Sequence, residues 1–514
     1  MSEAAGPGFL LVLAVMLPVI GILVMLAGLA RPARVALVIV PAGIAVALAI
    51  AIEVIRTETA LAYALGGWQP PLGISLRADG LAAVLLLMTA VVIGGVALFA
   101  AAPFGGDRDG RPDRAPLTFW TLLLGLWSAL AVAFLSQDLF NLFVALELLT
   151  FSAVPLVCLD GRAATLRAAL RYLVFALLGS VLYLLGAALL YGAYGTLDIA
   201  RLHALARGDL ATSLAVALMI VGLIAKTALF PLHLWLPPAH AGAPAAASAV
   251  LSALVVKAPF VIILRLWFEV LPIGSPEGAQ ILALLGAAAI LFCSVLALRQ
   301  ARLKLLIAYS TLAQIGYLFL IFPLAAATPT LAPWETIGWA GGILQLVSHA
   351  FAKAAMFMAA GLITEALGHD RIEGLPGAGR LVPMSVFAFA LGGLSLMGLP
   401  PSGGFNAKCM LLMAAVTQGE WWIAAVILSG GVLAAGYVFK VIGRAMATPV
   451  EALSPRAPVP RMRQAVALAL ALAATALGFA PLQPYGVLAI GRGGPPALTE
   501  AMPPAMMPSS AVTP

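Results

Sequence analysis

Eight ionisable side chains lie inside stretches that are otherwise apolar enough to cross a membrane: Glu147, Lys226, His233, His240, Lys257, His349, Lys353 and Lys408. No other feature constrains the chain more. A charge at mid-bilayer costs about 2.5–3.5 kcal/mol on insertion scales, and a chain that needs only to stay in a membrane would place leucine there. Keeping so many basic groups at that depth, with one carboxylate among them, points to a row of sites that take up and release protons.

The chain around these groups is 514 residues long, 63% hydrophobic and 10% charged, against about 25% charged in a soluble domain. A helix needs about 20 apolar residues to cross the hydrocarbon. That rule yields about fourteen spans, numbered 1 to 14: 8–29, 33–53, 78–101, 117–136, 139–158, 168–194, 211–230, 245–271, 279–298, 303–323, 337–363, 382–416, 421–446 and 463–480. An all-α polytopic membrane protein with little soluble mass is expected. The tail after about residue 481 is rich in Pro, Gly, Ala and Met and reads as a short surface helix or as disorder. The first apolar stretch is preceded by Glu3 and no basic residue, which fits a retained helix rather than a cleaved signal. Cys158, Cys293 and Cys409 fall in or beside spans without metal-ligand spacing, so they read as small core residues.

The net charge of +7 is unevenly distributed. Fourteen spans put both termini on one side, which carries five basic residues: Arg56, Arg77, Arg201, Arg207 and Arg492. The opposite loops carry eighteen, in groups such as Arg108, Arg111 and Arg114, or Arg162, Arg167 and Arg171. The positive-inside rule then places both termini outside the cytoplasm, in the periplasm if the membrane is a bacterial inner membrane. The positive charge thus reports topology and gives no reason to invoke nucleic acid.

Two spans are interrupted by proline. Span 7 runs into Lys226-Thr-Ala-Leu-Phe-Pro231-Leu-His233-Leu-Trp-Leu-Pro237-Pro238-Ala-His240, and span 12 contains Gly398-Leu-Pro400-Pro401-Ser-Gly-Gly-Phe-Asn-Ala-Lys408. Each has a Leu-Pro-Pro about 120 residues after the start of span 4 or span 9. That offset marks two five-helix units, 117–271 and 279–446, flanked by an N-terminal part (1–116) and by span 14 with the tail (447–514). Five helices per unit make consecutive units enter from opposite sides, which is inverted topology. Proline removes a backbone donor and clashes with an earlier carbonyl, and in lipid the freed carbonyls need a partner. Water, an ammonium or an imidazole can supply one, so each break beside a lysine is a candidate hydrated site. A kinked packing helix is the plainer alternative.

The ionisable groups differ in what their surroundings allow. Glu147 must find a cation or take up a proton, and the cations at similar depth are lysines; a purely structural ion pair is its alternative role. Lys226 is the last charge before span 7 breaks, and Lys257 is central in span 8. Burial disfavours a lysine's charged form while a nearby carboxylate favours it, so a Lys–Glu pair of changing separation can hold or release a proton. His233 and His240 suit proton relay near neutral pH, and His240 can equally cap a broken helix end. A zinc site lacks the usual ligand spacing. His349 and Lys353 are four residues apart and share a helix face; Lys353 can alternatively serve as a donor to loop carbonyls. Lys408 follows the second break. His203 and His369 fall in loops. The chain shows no nucleotide loop, redox ligand set or nucleophile constellation, so no cofactor and no metal are expected.

These strings resemble a known family. Pro231-Leu-His-Leu-Trp-Leu-Pro-Pro-Ala-His240-Ala-Gly-Ala-Pro followed by Lys257, Arg77-Ala-Asp-Gly-Leu, Leu303-Lys-Leu-Leu-Ile-Ala-Tyr-Ser-Thr-Leu-Ala-Gln-Ile-Gly-Tyr317, Ser348-His-Ala-Phe-Ala-Lys353 and Gly398-Leu-Pro-Pro-Ser-Gly-Gly-Phe are similar to motifs of the antiporter-like proton-translocating subunits. That family spans Mrp-type cation/proton antiporters, respiratory complex I and membrane-bound hydrogenases. The resemblance covers about residues 75 to 445. It implies fourteen helices with inverted five-helix repeats and broken helices 7 and 12. It also implies roles: Glu147 and Lys226 as the central pair, Lys257 as the mid-membrane relay, His349 as the connecting histidine and Lys408 as the terminal lysine. His233, His240 and Lys353 are secondary. Lysine at 408 makes the chain more similar to the Mrp D-type subunit, or to complex I subunits that keep lysine there.

The expected function is therefore proton translocation within a multi-subunit membrane complex, most like a Mrp-type antiporter with sodium as a possible counter-ion. The expected partners are other membrane subunits, further antiporter-like ones among them, and the lipid bilayer. A redox-driven complex of the complex I or hydrogenase type, in which the chain would count as part of a translocase, is the first alternative; a proton-channel partner of a soluble enzyme is the second. A stand-alone solute carrier fits less well, because few Asn or Gln are available to grip a solute. The topology is directly testable: a reporter fused after Pro514 should be active only in its periplasmic form, and activity of a cytoplasmic reporter there would mean an odd number of spans.

Overall fold

The computed structural model describes residues 6–105, 114–270, 275–325, 333–449, 456–479 and 486–492. Within them the chain is helical except for loops and one antiparallel hairpin, Leu61–Ala64 with Ser75–Ala78, which joins spans 2 and 3. Twelve helices among the described residues are long and apolar enough to cross a membrane. They correspond to spans 1 to 11 and 13. Span 12 is two shorter helices, Pro383–Met397 and Gly403–Thr417, and span 14 is Arg461–Ala476. The tail contributes a short helix, Gly486–Ala489, docked at the start of span 3, where Ile490 O accepts from Gly80 N at 3.0 Å; residues 493–514 lie outside the described residues. The three cysteines are separate free thiols.

Burial sorts the spans into rings. The apolar windows of span 8 (Ala245–Val270) and span 11 (Thr336–Leu367) are 100% and 94% buried, against 22% for span 1 (Phe9–Leu26) and 39% for span 6 (Ala163–Tyr194). Span 11 packs against span 10, both halves of span 12, span 14 and the start of span 8. Lys257 on span 8 and His349 and Lys353 on span 11 are at most 1% exposed, so these three groups are interior and do not reach water along the helix surface.

Both breaks have a visible backbone cause. Span 7 ends at Thr227; the next residue, Ala228, takes the left-handed conformation at φ 60°, and the chain restarts as Leu236–Gly242. Trp235 Nε1 donates to Ala225 O at 2.9 Å, adding to the 3.3 Å bond that this carbonyl accepts from Ala228 N at the break. Span 12 ends at Met397 with Gly398 at φ 78°. A Cβ on Gly398 would also lie 2.7 Å from Lys408 Cδ, so both conformation and space call for glycine. Ser402 restarts the helix as its N-cap, accepting from Phe405 N at 3.1 Å.

A second irregularity lies around Pro259, whose missing N–H leaves Val255 O without its helical donor. Span 8 contains two π-helical turns, Leu251–Val255 and Leu266–Val270, flanking the regular segment Lys257–Arg265. Such turns recur at functional sites in helices.

Spans 6 and 7 meet through Gly179 and Gly222. A Cβ on Gly222 would stand 2.3 Å from Gly179 O, and one on Gly179 would stand 2.5 Å from Gly222 O and 3.1 Å from Lys226 Cγ. This close approach brings Lys226 against span 6. Gly222→Val should force the two helices apart and cost about 1–3 kcal/mol, the usual range for overpacking. The check is the thermal unfolding midpoint of the purified protein in detergent; an unchanged midpoint would show that the contact is not tight.

Candidate functional site

The site has a charge pair at one end and an array of basic groups through the centre. Glu147 projects from span 5 (Leu139–Val157) and Lys226 from the last turn of span 7 (Leu210–Thr227). Lys226 Nζ lies 3.2 Å from Glu147 Oε1 and donates to Thr150 Oγ1 at 3.1 Å. Ser180 Oγ, on span 6, also donates to Glu147 Oε1. The lysine is 6% exposed. Thr150 stands one turn beyond Glu147 on the same face, so two adjacent helical positions form the ammonium's seat. Sequence reasoning misses both Thr150 and Ser180; for Thr150 the available signal is a hydroxyl one turn from the buried carboxylate.

The remaining lysines are held differently. Lys257 Nζ donates to Ser252 O at 3.0 Å, across the first π-helical turn, and Ser252 Oγ is 2.8 Å from Thr311 Oγ1. Lys353 Nζ donates to Ile307 O at 3.1 Å and to Ser310 Oγ. Its acceptors thus sit on helix Leu303–Phe319 of span 10, not in a loop. Lys408 Nζ donates to Leu396 O at 2.6 Å and lies 4.2 Å from the Tyr317 ring centroid. Four residues after Leu396 comes Pro400, which has no N–H to offer that carbonyl, so the lysine and Gln314 Nε2, at 3.1 Å, take its place. Each of these three lysines hydrogen-bonds neutral oxygens, whereas Lys226 faces a carboxylate.

His349 stands on span 11 within electrostatic reach of Lys257, Lys353 and Lys408, and Lys353 within reach of Lys257. His240 lies within reach of Lys353 and of Lys304, and its ring stacks on Phe357 at 4.5 Å. Both ring nitrogens of His240 and of His349 are buried without a protein hydrogen-bond partner among the described residues. Buried polar atoms are rarely left so, and an imidazole in this position is suited to a partner that arrives and leaves. The Lys257–Arg265 helix packs against span 7, the helix that carries Lys226. His233 makes its contacts outside this array, with Nδ1 3.2 Å from Pro231 O and the ring 5.4 Å from Phe230 and 6.3 Å from Phe292 of span 9.

Two further features are not read from sequence. Gln314 and Gln345 are buried and bonded to each other at 2.9 Å, between span 10 and span 11 beside the Lys408 seat; two glutamines in apolar spans are the available signal. Arg265, which the sequence places only near a span end, is 1% exposed. Its Nη1 is 3.1 Å from Asp79 and 2.7 Å from Glu269, and Nη2 donates to Asp79 at 3.3 Å and to Phe134 O at 3.3 Å. Asp79 also caps span 3, accepting from Ala82 N at 2.8 Å. This cluster ties spans 3, 4 and 8 together at one end of the bundle.

A bundle whose buried spans carry an ion pair and a chain of lysines and histidines, between two proline-broken helices, is the architecture of an antiporter-like membrane protein. Residues 136–434 match the family described as NADH:quinone oxidoreductase/Mrp antiporter, transmembrane, and the chain belongs to that family. It is 34% identical over 404 residues to NADH-quinone oxidoreductase subunit N of Desulforudis audaxviator, covering 78% of each chain. It is 31% identical over 382 residues to the D-type subunit of the Na(+)/H(+) antiporter of Alkalihalophilus pseudofirmus, covering 73% of this chain and 74% of that one. Its fold superposes on a chain of the Mrp complex from Dietzia sp. DQ12-45-1b with a TM-score of 0.83 at 26% identity, over 94% of this chain and 96% of that one.

The Arg265 cluster generates a stability prediction. Asp79→Ala removes the more buried of Arg265's two carboxylates together with the cap of span 3 and should cost about 3 kcal/mol, the low end of the range for breaking a buried pair, since Glu269 remains. Glu269→Ala should cost about 1 kcal/mol or less, since that carboxylate is 28% exposed and partly screened. Unfolding midpoints of the two variants in detergent test the ranking; equal losses would refute it.

Proposed function

We propose that this chain translocates protons as one subunit of a multi-subunit complex in a bacterial inner membrane, most like the D-type subunit of a Mrp cation/proton antiporter. The observation that carries this reading is the cluster of buried basic groups Lys353, Lys257, His349 and Lys408, together with the Glu147–Lys226 pair. In the proposed relay Glu147 and Lys226 form the switching pair, Lys257 receives the proton at mid-membrane, His349 passes it on, and Lys408 releases it at the second break. Lys353 and His240 act as secondary carriers; His233 is at most a local participant.

Charge and geometry make the relay workable. Lys226 lies one turn before the break, so a change at Ala228 alters its distance from Glu147. With the carboxylate close, the ammonium is balanced; with it distant, holding the proton becomes costly. Ammonium ions in one low-dielectric region repel one another, so a proton arriving at one end favours departure from the other. The division into two inverted units, 117–271 and 279–446, is part of the proposal, as are periplasmic termini; the paired breaks support the first and the arginine distribution the second. The 34% identity to a NADH-quinone oxidoreductase subunit N favours a second reading, the same relay serving a redox-driven complex.

Both readings share one test, pH-gradient formation in vesicles carrying matched amounts of assembled complex. Lys226→Ala and Glu147→Gln should each lower activity at least about tenfold, a change of roughly 1.4 kcal/mol. Lys408→Ala should lose most activity, while Lys408→Glu, still titratable, should retain part. Wild-type activity in assembled Lys226→Ala complex would end the proposal.

A further inference from the structure

We infer that the cavity between spans 3, 8, 10, 11 and 14 is a binding site for the phosphate headgroup of an anionic phospholipid. The cavity has a volume of about 520 Å³ and lies where these spans end on the arginine-rich face. Three cations line it, Lys304, Arg456 and Arg463, against one carboxylate, Glu365. Glu365 is already engaged by Arg463 Nη1 at 2.7 Å. The charge left over is positive.

The cations retain unused donors. Arg463 is 9% exposed, its guanidinium lies 4.5 Å from the Phe99 ring centroid, and its Nε has no hydrogen-bond partner among the described residues. Lys304 spends one donor on Ala243 O at 2.9 Å, and an ammonium has three. Arg456 is exposed, its side chain lying along Gly368. A buried guanidinium with a free N–H, one ammonium and one exposed guanidinium around a cavity fit phosphate oxygens, which accept from several donors at once.

The apolar part of the lining selects the source of that phosphate. Phe99 and Phe104 form one wall, with Phe104 stacked on Phe119 at 4.1 Å. A free phosphate would leave this wall against water, whereas the glycerol and upper acyl segments of a lipid would cover it. Basic pockets between membrane helices on the cytoplasmic side suit anionic headgroups. Bound there, the lipid would bridge span 8 of the first unit to spans 10 and 11 of the second.

The test uses delipidated full-length protein in a neutral detergent, with phosphatidylglycerol, phosphatidylethanolamine or inorganic phosphate added, read by native mass spectrometry and by thermal unfolding. Phosphatidylglycerol should give a one-to-one adduct and raise the unfolding midpoint; phosphatidylethanolamine should do so much less. Arg456→Gln and Arg463→Gln should each weaken the adduct about fivefold, the factor for roughly 1 kcal/mol per basic residue. Arg456 is exposed, so its variant tests the site even if Arg463→Gln fails to fold. Equal binding of both lipids, or an adduct that Arg456→Gln leaves unchanged, would overturn the inference. Stabilisation by inorganic phosphate alone, with displacement of the lipid, would assign the site to free phosphate and overturn the lipid reading.

Discussion

What the rest of the structure depends on is the pairing of buried lysine side chains with neutral oxygen acceptors. A carboxylate neutralises a lysine and holds it charged. A carbonyl or hydroxyl satisfies its N–H groups and leaves the cost of the charge standing. Lys257, Lys353 and Lys408 hydrogen-bond Ser252 O, Ile307 O with Ser310 Oγ, and Leu396 O. A neutral amine can still donate to the same oxygens, so a proton can come and go without dismantling the seat. Only Lys226 has a carboxylate within reach among these four, and only there does a change of distance alter the balance.

The backbone irregularities supply those seats. The second proline break removes the donor for Leu396 O, and Lys408 fills the gap; a π-helical turn brings Ser252 O under Lys257. At the first break Trp235 adds a second donor to Ala225 O, beside Ala228 N. The glycine contact between spans 6 and 7 adds the tight packing that sets Lys226 against Ser180 and Glu147.

The Arg265 cluster plays the opposite part. Asp79 and Glu269 surround one guanidinium with two carboxylates, and Phe134 O completes its contacts. Arginine stays charged at any physiological pH, so this site cannot exchange protons and serves as a clamp on spans 3, 4 and 8. Beside it, the tail segment reaches back to span 3, with Arg77 donating to Gly491 O. A single regular stretch, Lys257–Arg265, joins the buried lysine at the middle of span 8 to the clamped arginine near its end.

Membrane class, the spans and the two breaks were legible in the sequence, because apolar runs of span length and prolines within them act locally. The shared face of His349 and Lys353 followed from helical periodicity alone. The pairing of Glu147 with Lys226 was legible only as complementary types at similar depth, and the seats of the other lysines were not legible at all. Ser252, Ile307 and Leu396 contribute backbone oxygens, which every residue has, so no side-chain pattern marks them. Pro259 in span 8 does not by itself say that the helix answers it with a π-helical turn at Leu251–Val255, and His233 and His240, alike in sequence, were separated only by packing: one against Phe230 and Phe292, the other against Phe357 beside Lys353. Asp79 and Arg265 are 186 residues apart. The sequence by itself determined which groups enter the membrane; the tertiary structure decided which of them meet, because that depends on how helices distant along the chain pack.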